Sequence, residues 1–89
     1  MTEHEILTTA IRTFGIKTQE RQAIEECAEL IQAINHKHRG REHNIPEEIA
    51  DVEICLEQLK ITNDCTEEVE RIKKSKIERL FHRTCDKCF

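Results

Sequence analysis

At 89 residues, with 36% of them charged and a net charge of −4, the chain reads as one small domain and argues against a general nucleic-acid binder. Its three aromatics, Phe14, Phe81 and Phe89, leave little with which to stack several bases. No apolar run approaches a membrane span, and Met1 is followed by polar and acidic residues rather than the apolar stretch of a secretory signal. The expectation is therefore a cytoplasmic protein whose cysteines (Cys27, Cys55, Cys65, Cys85 and Cys88) are reduced thiols.

Gly15, Gly40 and Pro46 are the strong punctuators, and the segments between them have helical period. A first helix is predicted over residues 2–14, with Ile6, Leu7, Ala10, Ile11 and Phe14 on its apolar face and Gly15 just past its end. A second is predicted from Thr18, a good N-cap, to about Arg39, with Gly40 as its stop. Its apolar stripe is Ile24, Cys27, Leu30, Ile31 and Ile34, and a further inward face holds Gln22, Glu26, Glu29 and Ala33. A third runs from Asn44 to about Ile61. Asn44 with Glu47 is a capping-box pattern, and Pro46 is tolerated in a first turn. Its apolar stripe is Ile45, Ile49, Val52, Leu56 and Leu59, flanked by a mixed stripe of Glu48, Asp51, Cys55 and Gln58. A fourth opens at Asp64, again with an acidic residue three later, and runs to about Arg83. No strand is predicted, and short connections favour an all-α, antiparallel four-helix bundle over residues 1–83, followed by a short Cys-containing tail over 84–89.

Two acidic pairs stand out, Glu26-Cys27-Ala28-Glu29 and, eighteen residues on, Glu48-Ile49-Ala50-Asp51. Residues three apart share a helix face. If the two helices meet, four carboxylates converge, each like-charged pair repelling by roughly 4 kcal/mol at about 4 Å near a protein surface. A hard divalent cation with oxygen ligands is the natural counter-charge. One such pair on a solvated helix carries no meaning. Two pairs, with Glu48 bordering an apolar stripe, do. Because Glu29 lies away from the apolar stripe of its helix, the site requires that helix to be covered on two sides.

Lys76 falls in the middle of the stripe Val69, Ile72, Leu80, flanked by Arg79 and Arg83. The common fate of such a lysine is to snorkel to water; the alternative is to pair with carboxylates or hold a phosphate. The segment His36-Lys37-His38-Arg39-Gly40-Arg41-Glu42-His43 reads first as a solvated corner, with phosphate contact or transition-metal binding as its alternatives. His82, Cys85 and Cys88 offer three ligands of a zinc site that would need a fourth, and read first as part of a mobile tail. Cys27 and Cys55 read as small core residues.

The strings Glu25-Glu26-Cys27-Ala28-Glu29-Leu30 and Glu47-Glu48-Ile49-Ala50-Asp51-Val52, with Lys76-Ile77-Glu78-Arg79 in the last helix, resemble the MazG-like all-α nucleoside triphosphate pyrophosphohydrolases. The resemblance covers about residues 18–83; the Cys-rich tail lies outside it. It implies a helical bundle assembled as a homodimer or homotetramer, with helices of both subunits building each site. It also implies cleavage of nucleoside triphosphates between the α and β phosphates, in nucleotide-pool sanitation or adjustment. Mg²⁺, with Mn²⁺ as a substitute, would be held by Glu26, Glu29, Glu48 and Asp51. Glu26 or Glu29 would serve as the catalytic base, and Lys76 and Arg79 would contact phosphate. No membrane or nucleic-acid polymer partner is implied. The rival readings are a non-catalytic helical nucleotide-binding or interaction module of the same fold, and a zinc-stapled dimerisation domain.

Overall fold

The computed structural model describes residues 1–88, with side chains through Cys85, and is all-helical over that range. Its four helices are α1 (Glu3–Phe14), α2 (Ile16–His38), α3 (Ile45–Thr62) and α4 (Thr66–Cys88). None of them is long and apolar enough to cross a membrane.

Local chemistry sets the boundaries. Thr2 caps α1 by accepting a hydrogen bond from the Glu5 N–H (3.1 Å). Gly15, at φ 90°, closes α1 by donating to the Ile11 carbonyl and opens α2 by accepting from Gln19. Thr18, the expected cap, therefore lies inside α2, because glycine turns the chain in a single residue. At the end of α2, Arg41 donates to the His36 carbonyl and Gly40 to that of Lys37, a Schellman closure with Gly40 at φ 70°. The end of α3 repeats the device: Cys65 donates to Lys60 and Asp64 to Ile61, with Asp64 left-handed at φ 48°. Asp64 thus closes α3 rather than opening the next helix. Asn44 precedes α3 as expected, but its amide bonds the Glu47 carboxylate instead of capping the backbone. α4 continues past Arg83 to Cys88.

α2 and α3 form the main packed pair, α1 lies against both, and α4 touches α3 alone. The α2–α3 seam is built from small residues, with Ala23 and Ala33 on α2 facing Cys55 and Gln58 on α3, all buried. The seam on α3 is therefore the mixed stripe, with Glu48 and Asp51 half-buried in it. Ile49 and Leu56, from the stripe expected to face the core, are exposed. On α2 the covered face is Ala23, Glu26, Leu30 and Ala33, with Gln22 and Glu29 exposed at its edge. Short side chains there let the two backbones approach closely, which the isoleucine-rich stripes would prevent.

Leu30, Ile45, Val52 and Leu59 of the apolar stripes are half-buried, but much apolar surface is left bare. Ile24 is 70% exposed, Ile31 61%, Leu80 53% and Phe81 63%. Lys60 pairs with Glu57 within α3 (2.7 Å) and reaches Glu70 near the start of α4 (3.7 Å), and beyond that joint α4 projects away. The chain exposes 7478 Å², about 2,000 Å² more than a compact monomer of its mass. Its radius of gyration, 16.5 Å, exceeds the roughly 12 Å of a compact domain this long.

The Schellman closure after α2 carries a simple test. No atom lies within 4 Å of where a Cβ would stand on Gly40, so Gly40→Ala meets only backbone strain. The expected loss is about 1 kcal/mol, read in thermal unfolding as a melting temperature lower by roughly 4–8 °C for a domain of this size.

Candidate metal centre

The later turns of α2 meet the earlier turns of α3, so the two acidic pairs face each other across the seam. Glu26, Glu29 and Glu48 each bring a carboxylate oxygen to one point, these atoms all lying within 4.8 Å of one another. Asp51 stands beside Glu26 and adds to the charge there. Spacing of three within each helix puts two carboxylates on one face, and the small seam residues draw the two faces together. Of the four residues expected to hold a metal, the structure therefore brings three into one group and places the fourth against it.

The electrostatics are those of an uncompensated cluster. Oε2 of Glu26 and Oε2 of Glu48 are both shielded from solvent and have no hydrogen-bond partner. Loss of solvation raises the Glu26 carboxyl above its ordinary value of 4.5; Glu29 and Asp51 push it further, and a hydrogen bond from Gln22 opposes the rise. Loss of solvation also raises Glu48, with repulsion from Glu29 and Asp51 adding to it. Burial pushes up the neighbouring Cys55 thiol, and Glu26 contributes to that shift. Gln22 donates to Glu26 Oε1 at 2.6 Å, which fixes one oxygen of Glu26 and leaves Oε2 free. Buried oxygens without donors, in a cluster of hard acidic ligands, fit a divalent cation such as Mg²⁺.

The basic residues are placed elsewhere. Lys76 and Arg79 line a concavity with His82 and Arg83, all on α4. Among the described residues α4 packs against α3 and not α2, and no ion pair joins Lys76 or Arg79 to the Glu26–Glu29 pair within one chain. Lys76 also lies along the apolar strip of Val69, Ile72 and Leu80, as its spacing predicts. His82 packs edge-on against Phe81, and Cys85 is a free, half-buried thiol. The Cys88 side chain, the third ligand of the zinc alternative, lies outside the described residues.

Two features of the site go beyond the sequence pattern. One is the hydrogen bond to Glu26 from Gln22, a residue already expected on the same inward face, which was legible as an i,i+4 contact. The other is an open polar depression at the α2–α3 corner, next to Glu29 and Glu48, lined also by Gln32, Ala33, His36, Glu42, His43 and Asn44. It is formed by the path of the corner, which no local pattern encodes. Compared with known proteins, the chain matches no family model, no curated protein and no solved structure.

The raised carboxyls make pH dependence a direct test. The folded chain holds these protons more tightly than an unfolded chain does. Acidification through the raised values toward 4.5 therefore stabilises the metal-free fold, and that gain is lost as the pH rises through them. In thermal melts of metal-free protein, the gain on going from pH 7 to pH 5 is expected in the wild type and reduced in Glu48→Gln. Identical profiles for the two proteins would contradict an uncompensated Glu48.

Proposed function

We propose that this chain is a Mg²⁺-dependent nucleoside triphosphate pyrophosphohydrolase of the MazG-like kind. It would cleave the bond between the α and β phosphates to give a monophosphate and pyrophosphate. The observation that carries the proposal is the carboxylate group of Glu26, Glu29 and Glu48, two of whose buried oxygens have no partner. In this reading Glu26, Glu29, Glu48 and Asp51 hold the cation. The cation, with Mn²⁺ as a substitute, supplies charge neutralisation on the phosphate oxygens and activation of water. A carboxylate of the cluster takes the proton from the attacking water as its oxygen bonds to phosphorus and the bridging P–O bond breaks. Glu26 is better suited to this than Glu29, because Gln22 orients it while Oε2 stays free.

The phosphate-binding residues come from a second copy of the chain. Four features support that assembly. The bare groove of Ile24, Cys27 and Ile31 on α2, with Leu59 of α3, offers an apolar seat. The unpartnered strip of Val69, Ile72 and Leu80 on α4 offers an apolar ridge. The flanking Lys76, Arg79 and Arg83 are complementary in sign to the carboxylate cluster. The excess exposed area matches what an obligate interface buries per partner, roughly 1,000–2,500 Å². A four-helix bundle would then be completed between chains, covering the second face of α2 and bringing Lys76 and Arg79 to the partner's cluster.

Pyrophosphate release across a panel of standard and modified triphosphates, with Mg²⁺ or Mn²⁺, tests the chemistry. Wild type is expected to turn over and Glu48→Gln to lose at least two orders of magnitude, on the scale of a catalytic group's removal. Activity of Glu48→Gln equal to wild type would sink the site assignment. Absence of turnover on every substrate would leave the non-catalytic module as the reading.

The assembly has its own measurement. Wild type is expected to sediment as a dimer or tetramer, and Ile31→Asp or Leu80→Asp to shift it toward monomer. Mixing inactive Glu48→Gln and Lys76→Ala chains is expected to restore about a quarter of wild-type activity, because random pairing yields half mixed dimers with one intact site each. No recovery after verified subunit exchange would place Lys76 outside the partner's site.

A further inference from the structure

A triphosphate seated on the Glu26–Glu29–Glu48 cluster can extend its nucleoside along the α2–α3 hairpin in only two directions. Away from the corner the seam is closed. Gln22 is bonded to Glu26, and Ala23, Cys55 and Gln58 fill the space, each at most 6% exposed. Toward the corner it is open. There an open depression of about 460 Å³ begins at Glu29 and Glu48 and continues between Gln32, Ala33, His36, Glu42, His43 and Asn44. That volume is large enough for a base and a sugar, and beyond the cluster the lining is mixed, with one further carboxylate, Glu42, among carboxamides and imidazoles. Carboxamides and imidazoles each present donors and acceptors. None of the lining residues is aromatic apart from the two imidazoles, and Phe14 and Phe81 lie exposed on other helices.

We propose that this corner is the nucleoside subsite, and that Gln32, His36 and His43 read the base and sugar by hydrogen bonds rather than by stacking. The inference rests on the pyrophosphohydrolase reading and adds its specificity determinants. Gln32 is one turn beyond Glu29 on α2 and can pair in bidentate fashion with a base edge that offers a donor beside an acceptor. His36 is half-buried one turn further on, and His43 faces it from the corner. Asn44 is already engaged with Glu47 and holds the corner's shape. The α2–α3 connection thereby gains a role that its charge pattern alone does not suggest. Its histidines face the space next to the cluster without entering the carboxylate group itself.

A site that reads by hydrogen bonds rejects a ligand lacking the matching group far more strongly than an apolar slot does, because its own polar groups are then left unpaired. Wild type should therefore separate the best from the worst base in a triphosphate panel by at least about 100-fold in kcat/KM. Gln32→Ala and His43→Ala, both at exposed positions, should raise KM for the preferred triphosphate about tenfold or more, as expected for loss of one good hydrogen bond. They should also bring the ranking of bases closer together. Inhibition by inorganic triphosphate, which has phosphates but no base, should be unchanged in both variants, as should the Mg²⁺-induced rise in melting temperature.

If wild type turns over triphosphates and both variants keep its KM and base ranking, the subsite is elsewhere and the hydrolase reading stands. If the variants lose affinity for inorganic triphosphate to the same extent, these residues serve the phosphates or the fold, and the inference is overturned. If wild type neither binds nor hydrolyses any triphosphate, the hydrolase reading fails first and takes the subsite with it.

Discussion

The close approach of α2 and α3 is the constraint on which the rest of the molecule depends. Ala23, Ala33 and Cys55 are short enough to let the helices meet along a face that also carries Glu26, Glu29, Glu48 and Asp51. Larger side chains at those positions would hold the backbones apart and leave four separately solvated carboxylates. As built, the seam strips water from two carboxylate oxygens and sets them against further negative charge. A buried unpaired charge is costly. The fold tolerates it here by holding extra protons or by holding a cation, and the geometry of the cluster suits the second.

A second consequence follows from the same packing choice. Because small and mixed residues occupy the buried centre of the seam, many of the isoleucines and leucines are left at its margins or exposed. A chain of this length that buries no large side chain completely has not finished its core. The bare groove of α2, the projecting α4 and the excess exposed area are three views of one deficit. Its natural remedy is a second copy, which would also bring the α4 cations to the acidic seam. The incomplete core and the incomplete site would then share one solution.

Much of this was legible in the residues. The helices followed from period and punctuation, with Gly40 ending α2 by the mechanism expected of it. Boundaries shifted where two devices competed. Gly15 opened α2 ahead of Thr18, and Asp64 took a left-handed closing conformation instead of capping α4. The carboxylate set was readable from two spacings of three, but Glu29, expected to join it only with a second face of α2 covered, meets Glu26 and Glu48 within one chain. The choice of seam was readable only in part. Cys55 is buried as expected, but Cys27, Ile49 and Leu56, which hydrophobicity also favoured for the core, are exposed, and Gln58 is buried in the seam by close packing, which a stripe analysis does not weigh. The corner depression depends on tertiary path and left no periodic trace, and His36 and His43 read locally as a solvated turn.

Direct titration of Mn²⁺ into metal-free protein, with the free ion followed by electron paramagnetic resonance, tests the central claim most closely, since it asks only whether the seam is a cation site. Saturable, stoichiometric binding at pH 7 is expected in the wild type, with marked weakening in a Glu26→Gln/Glu48→Gln double variant that remains helical. Equal binding by the two proteins, or no saturable binding by the wild type, would contradict a metal centre at the α2–α3 seam.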